Sequence, residues 1–396
     1  MKVRTVAIFT GNRAEYGLQK PIIKAISSDP RFEYKLIVSG AHLDSNFGKT
    51  IQEIKKDGFE IHSEAKIRTL DNNTAFTSYS IGSAIVEITK ILEELEPDLF
   101  IVYADRFEGL AAMIASTQMN IPTAHIEGGD LTEGGALDDS VRHAMTKLAH
   151  LHFTTNQDSS NRILKMGEEP WRVHTVGFPA IDLINENDYD SEEELVSKFG
   201  FDLNKPIVLF TQHSVTTEPE NTRFQIRKSL NALHQIWTEG AQLVLTYPNN
   251  DMGSTEIIDE LKNFVVSHKE RVWLSPSLGR RAYHGILALS MKLVHRVACV
   301  GNSSSGIKET PAFGCPTVNI GSRQESRLRA NNVIDVDYDE VQIVNAIKKA
   351  LFDEDFRKVC SQCENPYFLG GASLQIAQVL ATQELGTKLL RKKMTY

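Results

Sequence analysis

The sequence predicts an α/β protein of two doubly wound parallel sheets with a cleft between them. Three observations carry that prediction. Short apolar runs alternate with longer segments of 3–4 spacing, the pattern of parallel strands joined by helices. The series pauses near residue 178, at the acidic, proline-interrupted stretch "FPAIDLINENDYDSEEEL", a composition suited to an inter-domain crossing. It then resumes with the same rhythm, and 396 residues suffice for two domains.

In the first half, strands are expected at "RTVAIF" (4–9), "YKLIVS" (34–39), "DLFIVY" (98–103), "PTAHI" (122–126), "LHFTT" (151–155) and "RVHTVG" (172–177). Helical segments such as "LQKPIIKAISS" (18–28) and "AIVEITKILEEL" (84–95) separate them. In the second half, strands are expected at "PIVLFT" (206–211), "AQLVLTY" (241–247), "RVWL" (271–274), "LVHRVACV" (293–300) and "PTVNI" (316–320). The last segment, "SLQIAQVLATQELGTKLLRKK" (373–393), reads as one long amphipathic helix crossing back to the first domain. The expected division is residues 1–178, residues 179–372 and a terminal helix in 373–396 packing on the first domain. No solenoid-length repeat or low-complexity tract interrupts it.

Charged residues make up 24% and hydrophobic residues 41%, with a net charge of −8. That balance suits a soluble protein and argues against nucleic acid as a partner, which requires clustered Lys and Arg. The N-terminal run "VAIF" is too short for a signal-peptide core. No window approaches the roughly 18 apolar residues of a membrane span, so a cytoplasmic, membrane-free protein is expected. Four cysteines do not make a disulfide framework. Cys360 and Cys363 form a lone C-x-x-C in a late charged segment, read as structural rather than as a redox pair or zinc site.

Ligands of open α/β sheets sit beyond the carboxyl ends of the strands, and there this chain is unusually polar. After the first strand comes "TGNRAEYG". Gly11 permits a tight turn, the helix start offers free N–H groups to an anion, and Arg13 adds a bidentate charge. An ordinary turn with a surface arginine is the plain alternative. "ADRFEG" places Asp105 and Arg106 after a central strand, where a charged pair is costly unless used or paired. Glu127 follows "PTAHI" and opens the loop of "HIEGGDLTEGGALDD" (125–139). Asp138 and Asp139 fit the first turn of the next helix, where its dipole favours carboxylates. That explains one aspartate, read as Asp139, but not the gathering of Asp105, Glu127 and Asp138 at one sheet edge. Carboxylates in a cleft raise one another's pKa, which suits proton transfer near neutral pH. Asp130 and Glu133 are read as contacts to solvent or a sugar edge. A divalent metal would also suit carboxylates, but Arg13, Arg106 and Arg142 are interspersed and no H-E-x-x-H is present. No metal and no cofactor are expected.

The second half offers other chemistry. "FTQHSVTTE" places His213 after a strand, and "TYPNND" places Asn249 and Asn250 after another. "VGNSSSGIKETPAFGCP" (300–316) runs from strand through glycine and three serines into a helix. Ser303, Ser304, Gly306 and free N–H groups make a phosphate cradle, and Glu309 can reach ribose hydroxyls. A serine-rich N-cap is the plain alternative. No Walker loop is present. A nucleotide sugar, held by one half and worked on by the other, fits both sets.

Taken in order, "GNRAEYG", "SGAHLDSNFG", "ADRFEG", "HIEGGDLTEGGALDDSVRHAMTKLAHLHF", "HSVTTE", "YPNND" and "VGNSSSGIKETPAFGCPTVNIGSRQ" closely resemble the UDP-N-acetylglucosamine 2-epimerase family. The likeness is to its hydrolysing branch, which supplies N-acetylmannosamine or a related sugar for sialic-acid-type synthesis, and it spans residues 5 to 375. It implies a GT-B-like fold of two Rossmann-like domains. It implies anti elimination of UDP across C1–C2 to a 2-acetamidoglucal, then hydration to UDP and the 2-epimeric sugar. By motif it makes Asp105, Glu127 and Asp138 the catalytic carboxylates, with His213 on the diphosphate. Arg13, Arg106, Asn249, Ser303, Ser304, Gly306, Glu309 and Arg323 match nucleotide-binding positions, with Arg323 and the serines serving phosphate and Glu309 the ribose. Arginines and a helix start replace a metal at the leaving group. A homodimer or homotetramer is implied as well.

The sequence departs from the family pattern in a longer segment within 283–300 and an extra glycine before Asp138. UDP-N-acetylglucosamine is the expected substrate, with UDP-2,4-diacetamido-2,4,6-trideoxyglucose (legionaminic acid pathway) the alternative and GDP sugars more remote. A retaining glycosyltransferase on the same fold would not need a C2 base. A silent nucleotide-sugar sensor would not need the carboxylates.

Overall fold

The computed structural model describes residues 3–44, 50–67, 75–132, 137–215, 217–249 and 253–396. The chain divides into two compact units. One holds the chain up to Leu131 with Leu137–Asp182 and Tyr367–Tyr396, and the other holds Leu183–Pro366.

The first unit is built on β1 (Arg4–Thr10), β2 (Phe32–Ser39), β3 (Ile61–Ala65), β4 (Leu99–Tyr103), β5 (Thr123–Ile126), β6 (Leu151–Thr154) and β7 (Val173–Thr175). All pair in parallel, in the order β3-β2-β1-β4-β5-β6-β7. Successive strand residues point to opposite faces, and both faces of this sheet are covered. Val6, Ile8, Leu99 and Ile101 enter one core with Ile22, Ile26 and Ile376. Ala7, Phe9, Phe100 and Val102 enter the other with Ile88 and Leu92. Full burial of a large apolar side chain contributes about 1.5–3 kcal/mol, so these near-continuous apolar runs set the sheet centre. Chain order reverses between β1 and β4, which opens a crevice beyond their carboxyl ends.

The second unit repeats the plan with β8 (Ile207–Thr211), β9 (Gln242–Thr246), β10 (Val272–Ser275), β11 (Val297–Gly301), β12 (Thr317–Ile320) and β13 (Val333–Val336). The order is β10-β9-β8-β11-β12-β13, again all parallel. Its reversal lies between β8 and β11. There Gly301 pairs with Thr211 at φ 129, and a Cβ on it would stand 1.9 Å from the Thr211 carbonyl oxygen. Only glycine lets the two strands meet at the mouth of this crevice.

Three expectations are corrected. β3 and β13 are additional strands. "IHSEA" and "VIDV" are short, half-buried edge segments, and edges need little apolar content. The strand expected over 293–300 begins only at Val297, after a 3-10 turn at Leu289–Met291 that leaves Met291 and Val294 exposed. The expected helix over 373–393 is two pieces, Ala372–Thr382 and Thr387–Leu390, parted at Gly386, whose backbone is extended. Ile376, Leu380 and Leu389 still reach the first core. The first piece is anchored by Asp182, whose carboxylate accepts from Ala372 N at 3.2 Å and Ser373 N at 2.8 Å, an acid at a helix N-terminus. The four cysteines are free thiols, and Cys299, Cys315 and Cys360 are buried. Among the described residues no helix is long and apolar enough to cross a membrane.

Gly301→Ala should destabilise the second unit by about 3 kcal/mol, the sum of left-handed strain and overpacking. Urea unfolding followed by tryptophan fluorescence would measure it, and an unchanged midpoint would refute the close approach.

Candidate active site

In the first unit the register pairs Tyr103 with Ile126, so Asp105 and Glu127 lie just past the ends of adjacent strands. Both exits turn sharply. Ala104 has φ 56 and Glu127 has φ 64, a left-handed conformation unusual outside glycine. Ala104 N–H donates to Ile126 O at 3.0 Å, and Glu127 N–H donates to Phe153 O at 2.8 Å.

The helix Leu137–Leu148 brings Asp138 and Asp139 in its first turn. Arg142, one turn on, is 2% exposed and joins the groups. Its guanidinium donates to the Asp105 carboxylate, to Asp139 Oδ1 at 3.1 Å and to the Asp130 carbonyl at 2.8 Å. Asp139 is thus the buried partner of Arg142. Asp130 is buried too, so its expected exposure to solvent is corrected. Glu133 and the extra glycine lie outside the described residues.

His125, in β5, supports the turn that carries Asp105. Its Nε2 is 2.7 Å from the Ala104 carbonyl. A carbonyl only accepts, so Nε2 carries the proton. Burial pushes the ring pKa down to about 3, so Nδ1 is bare and accepts from Thr146 Oγ1 at 3.1 Å. That hydroxyl also lies 3.0 Å from Arg142 O, and its single proton serves one acceptor at a time. Gly128 leaves room for this pair, because a Cβ there would meet His125 Nδ1 at 2.9 Å and Thr146 Oγ1 at 3.0 Å.

Behind the arginines lie two carboxylates that the sequence reading did not assign. Glu15, beside the Asn12 cap of the helix Arg13–Ser27, is held well above the usual carboxylate range by burial and by the charge of Glu108. Gln19 Nε2 donates to it at 2.9 Å. Burial raises Glu108 as well, against the opposing charge of Arg106 and with the repulsion of Asp138. Arg106 Nε stands 3.8 Å from Glu108, whereas Arg13 pairs with Glu53 at 2.7 Å. Asp138, Glu108 and Arg106 therefore share one neighbourhood, and Arg13 leans toward a separate acid.

In the second unit His213 follows β8 and is buried. Asn302 clasps its backbone, accepting from His213 N at 2.6 Å and donating to His213 O at 2.9 Å. The Asn249 N–H donates to His213 Nδ1 at 2.9 Å, which leaves the proton on Nε2. Burial, helped by the charge of Arg323, holds the ring well below its ordinary pKa, so it is a neutral N–H donor. Arg323 Nη1 and Gln324 Nε2 donate to the Asn302 carbonyl at 3.2 and 2.9 Å. Asn302 thus gathers His213 and Arg323, although only its position inside "VGNSSSG" hinted at this. Asn250 lies outside the described residues.

The helix after β11 is a single turn, Ser305–Lys308, with Ser304 at its N-cap. Ser303 Oγ accepts from Ser305 N at 3.4 Å, and Gly306 packs against Thr317. Glu309 lies at the junction with a 3-10 turn rather than inside a longer helix. Burial would raise its pKa, but hydrogen bonds from His284 Nε2 and Ser305 Oγ, both 2.9 Å to Oε2, hold it below the ordinary value. It is therefore an ionised hydrogen-bond acceptor.

Two parallel sheets, each with polar groups beyond the carboxyl ends of its strands, define a GT-B-like fold. This chain belongs to the UDP-N-acetylglucosamine 2-epimerase family, which it matches over residues 24–381. It is 32% identical over 394 residues to the hydrolysing UDP-N,N'-diacetylbacillosamine 2-epimerase of Legionella pneumophila, covering 100% of both chains. It is 31% identical over 349 residues to the UDP-N-acetylglucosamine 2-epimerase of Neisseria meningitidis, covering 88% of each. Its fold matches the structure of the Neisseria meningitidis UDP-GlcNAc 2-epimerase bound to UDP-GlcNAc with a TM-score of 0.79, at 20% identity over 96% of this chain and 99% of that one. The S. aureus MnaA–UDP co-structure matches with a TM-score of 0.76, at 19% identity over 95% and 96% of the chains.

Arg142→Met should cost about 3–5 kcal/mol, because it removes the buried cation shared by Asp139 and the half-buried Asp105. Chemical denaturation would read the loss, and a change within about 0.5 kcal/mol, the usual range of neutral surface substitutions, would refute the bridge. Nitrogen-15 histidine spectra, with His213→Gln for assignment, should show His213 as the neutral Nε2–H tautomer from about pH 6 to 8. A signal titrating in that window would contradict the buried donor.

Proposed function

We propose that the protein is a hydrolysing 2-epimerase of UDP-linked 2-acetamido sugars. The observation that supports this reading is that Asp105 and Glu127 follow the ends of β4 and β5, while Arg142, from the helix whose first turn holds Asp138, bridges to Asp105. A proton on C2, the carbon that bears the acetamido group, is weakly acidic and needs a placed carboxylate base. One of the three carboxylates removes it. The C–H electron pair becomes the C1=C2 bond as the C1–O bond breaks, and that bond's electrons leave with UDP. Water then adds its oxygen to the glucal at C1, and a proton reaches C2 on the opposite face. The products are UDP and the free 2-epimeric sugar, with water consumed.

His213 Nε2–H and the Arg323 guanidinium serve the departing diphosphate, where charge accumulates. Ser303, Ser304 and Asn249 are assigned to the nucleotide's polar groups, Gly306 to its close approach and Glu309 to the ribose. Arg13 and Arg106 are assigned to nucleotide binding as well. We assign UDP-2,4-diacetamido-2,4,6-trideoxyglucose as the preferred substrate, because the Legionella relative that matches end to end acts on the corresponding UDP-N,N'-diacetylbacillosamine. UDP-N-acetylglucosamine is the second reading, favoured by the Neisseria relative. The free sugar would then feed sialic-acid-type synthesis in the cytoplasm, with the enzyme working as a homo-oligomer.

A panel of UDP- and GDP-sugars, scored by nucleotide release, would decide the substrate. The diacetamido sugar should show the highest kcat/KM, and a higher value for UDP-N-acetylglucosamine would reverse the assignment. In deuterated water the released sugar should carry deuterium at C2; its absence would exclude elimination. Asp105→Asn should lower kcat by about 10²–10⁴-fold, the usual worth of a placed acid or base, while calorimetric UDP affinity stays within about threefold of wild type, a shift under 1 kcal/mol.

A further inference from the structure

The helix Leu137–Leu148 carries Asp138, Asp139 and Arg142 near its start. Its last carbonyls, like those of any helix, lack partners within the helix. Lys392, 245 residues from Lys147 in sequence, supplies them. Its Nζ donates to the carbonyls of Lys147 and Ala149 at 2.7 Å each and lies 3.5 Å from that of Thr146. The same ammonium pairs with Glu168 Oε2 at 2.8 Å. Glu168 is itself buried and also receives Lys147 at 2.6 Å and His152 at 3.1 Å. Burial opposes its charge, yet the His152 and lysine bonds hold its pKa down to about 2.

The segment that carries Lys392 is anchored. Arg172, with no exposed surface, donates to the carbonyls of Lys388, Leu389 and Arg391 at 3.1, 2.6 and 3.1 Å. Leu389 sits in the core with Ile376. From the capped end the path to the carboxylates is short. Thr146 offers its carbonyl to Lys392 and its hydroxyl proton to either His125 or the Arg142 carbonyl, and these two residues hold the Asp105 turn.

We propose that Lys392 is a positioning residue for the reaction, clamping the far end of this helix so that Asp138 and Arg142, and through Arg142 the Asp105 carboxylate, stay in register. The proposal rests on Asp105 and Asp138 being reactive carboxylates. A helix is stiff along its axis, so slippage at one end displaces the other, and a misplacement of about 1 Å costs a reaction about 10²-fold. A cation at a helix C-terminus and carboxylates at its start also oppose the dipole in the same sense.

The ammonium faces Glu168, Lys147, His152, His150 and Arg172. Burial lowers its pKa to about 8, against the pull of Glu168. A lysine whose folded pKa lies below its unfolded value holds fewer protons folded than unfolded between the two. In that window stability on its account rises with pH. Deprotonation thus takes the charge off the clamp, loosening it, and on its own account does not lower stability in that window.

Lys392→Met, assayed well below its melting temperature, should lose roughly tenfold or more in kcat, with calorimetric UDP affinity unchanged. Lys392→Arg should restore most of the rate. A kcat for Lys392→Met within about twofold of wild type, too small for a displaced carboxylate, would overturn the clamp. Should Lys392→Met fail to melt cooperatively, wild type and Lys392→Arg decide. Wild-type kcat should fall above about pH 8 with no parallel fall in Tm, and that limb should move up in the arginine variant. Identical alkaline limbs would overturn the proposal. Asp138→Asn is the control. Wild-type turnover in that variant would refute the carboxylate assignment itself, whereas an inactive Asp138→Asn beside a normal Lys392→Met would refute only the clamp.

Discussion

A guanidinium buried among carboxylates holds the first unit's chemistry together. Removing such charges from water costs several kcal/mol per ion, and their attraction repays this only with close geometry. Arg142 meets that condition with Asp105 from the end of β4, Asp139 from its own helix and the carbonyl of Asp130 from the loop after β5. The end of β4, the loop after β5 and the helix start are thereby tied to one planar group. Its contribution is less to net stability than to geometry, because a fork with fixed angles accepts few arrangements. His125 extends this order to the strained turn at Ala104, and the carboxylates stand where the ion cluster and the strand ends together place them.

The second unit reaches order by another route. Its centre is a neutral amide, Asn302, which uses its side-chain oxygen, side-chain nitrogen and backbone carbonyl at once. The histidine it clasps is neutral as well. The proposed role at a diphosphate needs donors already aimed before the charge arrives, and an uncharged Nε2–H held by two asparagines would satisfy that without a large desolvation cost. Glu309 is the exception, kept ionised by His284 and Ser305.

Much of this was legible in the sequence, for identifiable reasons. The central strands announce themselves because both faces are buried and the runs are almost wholly apolar, as in "VAIF" and "IVLF". β3 and β13 escaped because an edge strand such as "IHSEA" is half polar. The terminal helix was read too long because its apolar spacing runs across Gly386 without a break. Among the proposed site residues, Asp105, Glu127 and His213 are visible as polar groups following strands, and Asp138 as a carboxylate at a helix start. Arg142 was noted only as a cation among acids, and Glu15, Glu108, His125, Asn302 and Lys392 were not assigned at all. Their meaning lies in partners tens or hundreds of residues away, and no local pattern encodes a pairing such as Lys392 with the end of the helix Leu137–Leu148.

Ala104 and Glu127 leave adjacent strands in a left-handed conformation that costs an L-residue about 1–2 kcal/mol. Glycine would remove that cost at either position, yet a glycine at 127 would have no carboxylate to offer. The two demands meet at one backbone atom: folding alone favours the residue without a side chain, and the proposed chemistry requires one. Sequences drifting under selection for stability alone would be drawn away from glutamate here, so its presence marks a place where the fold has been held slightly uphill of its own optimum.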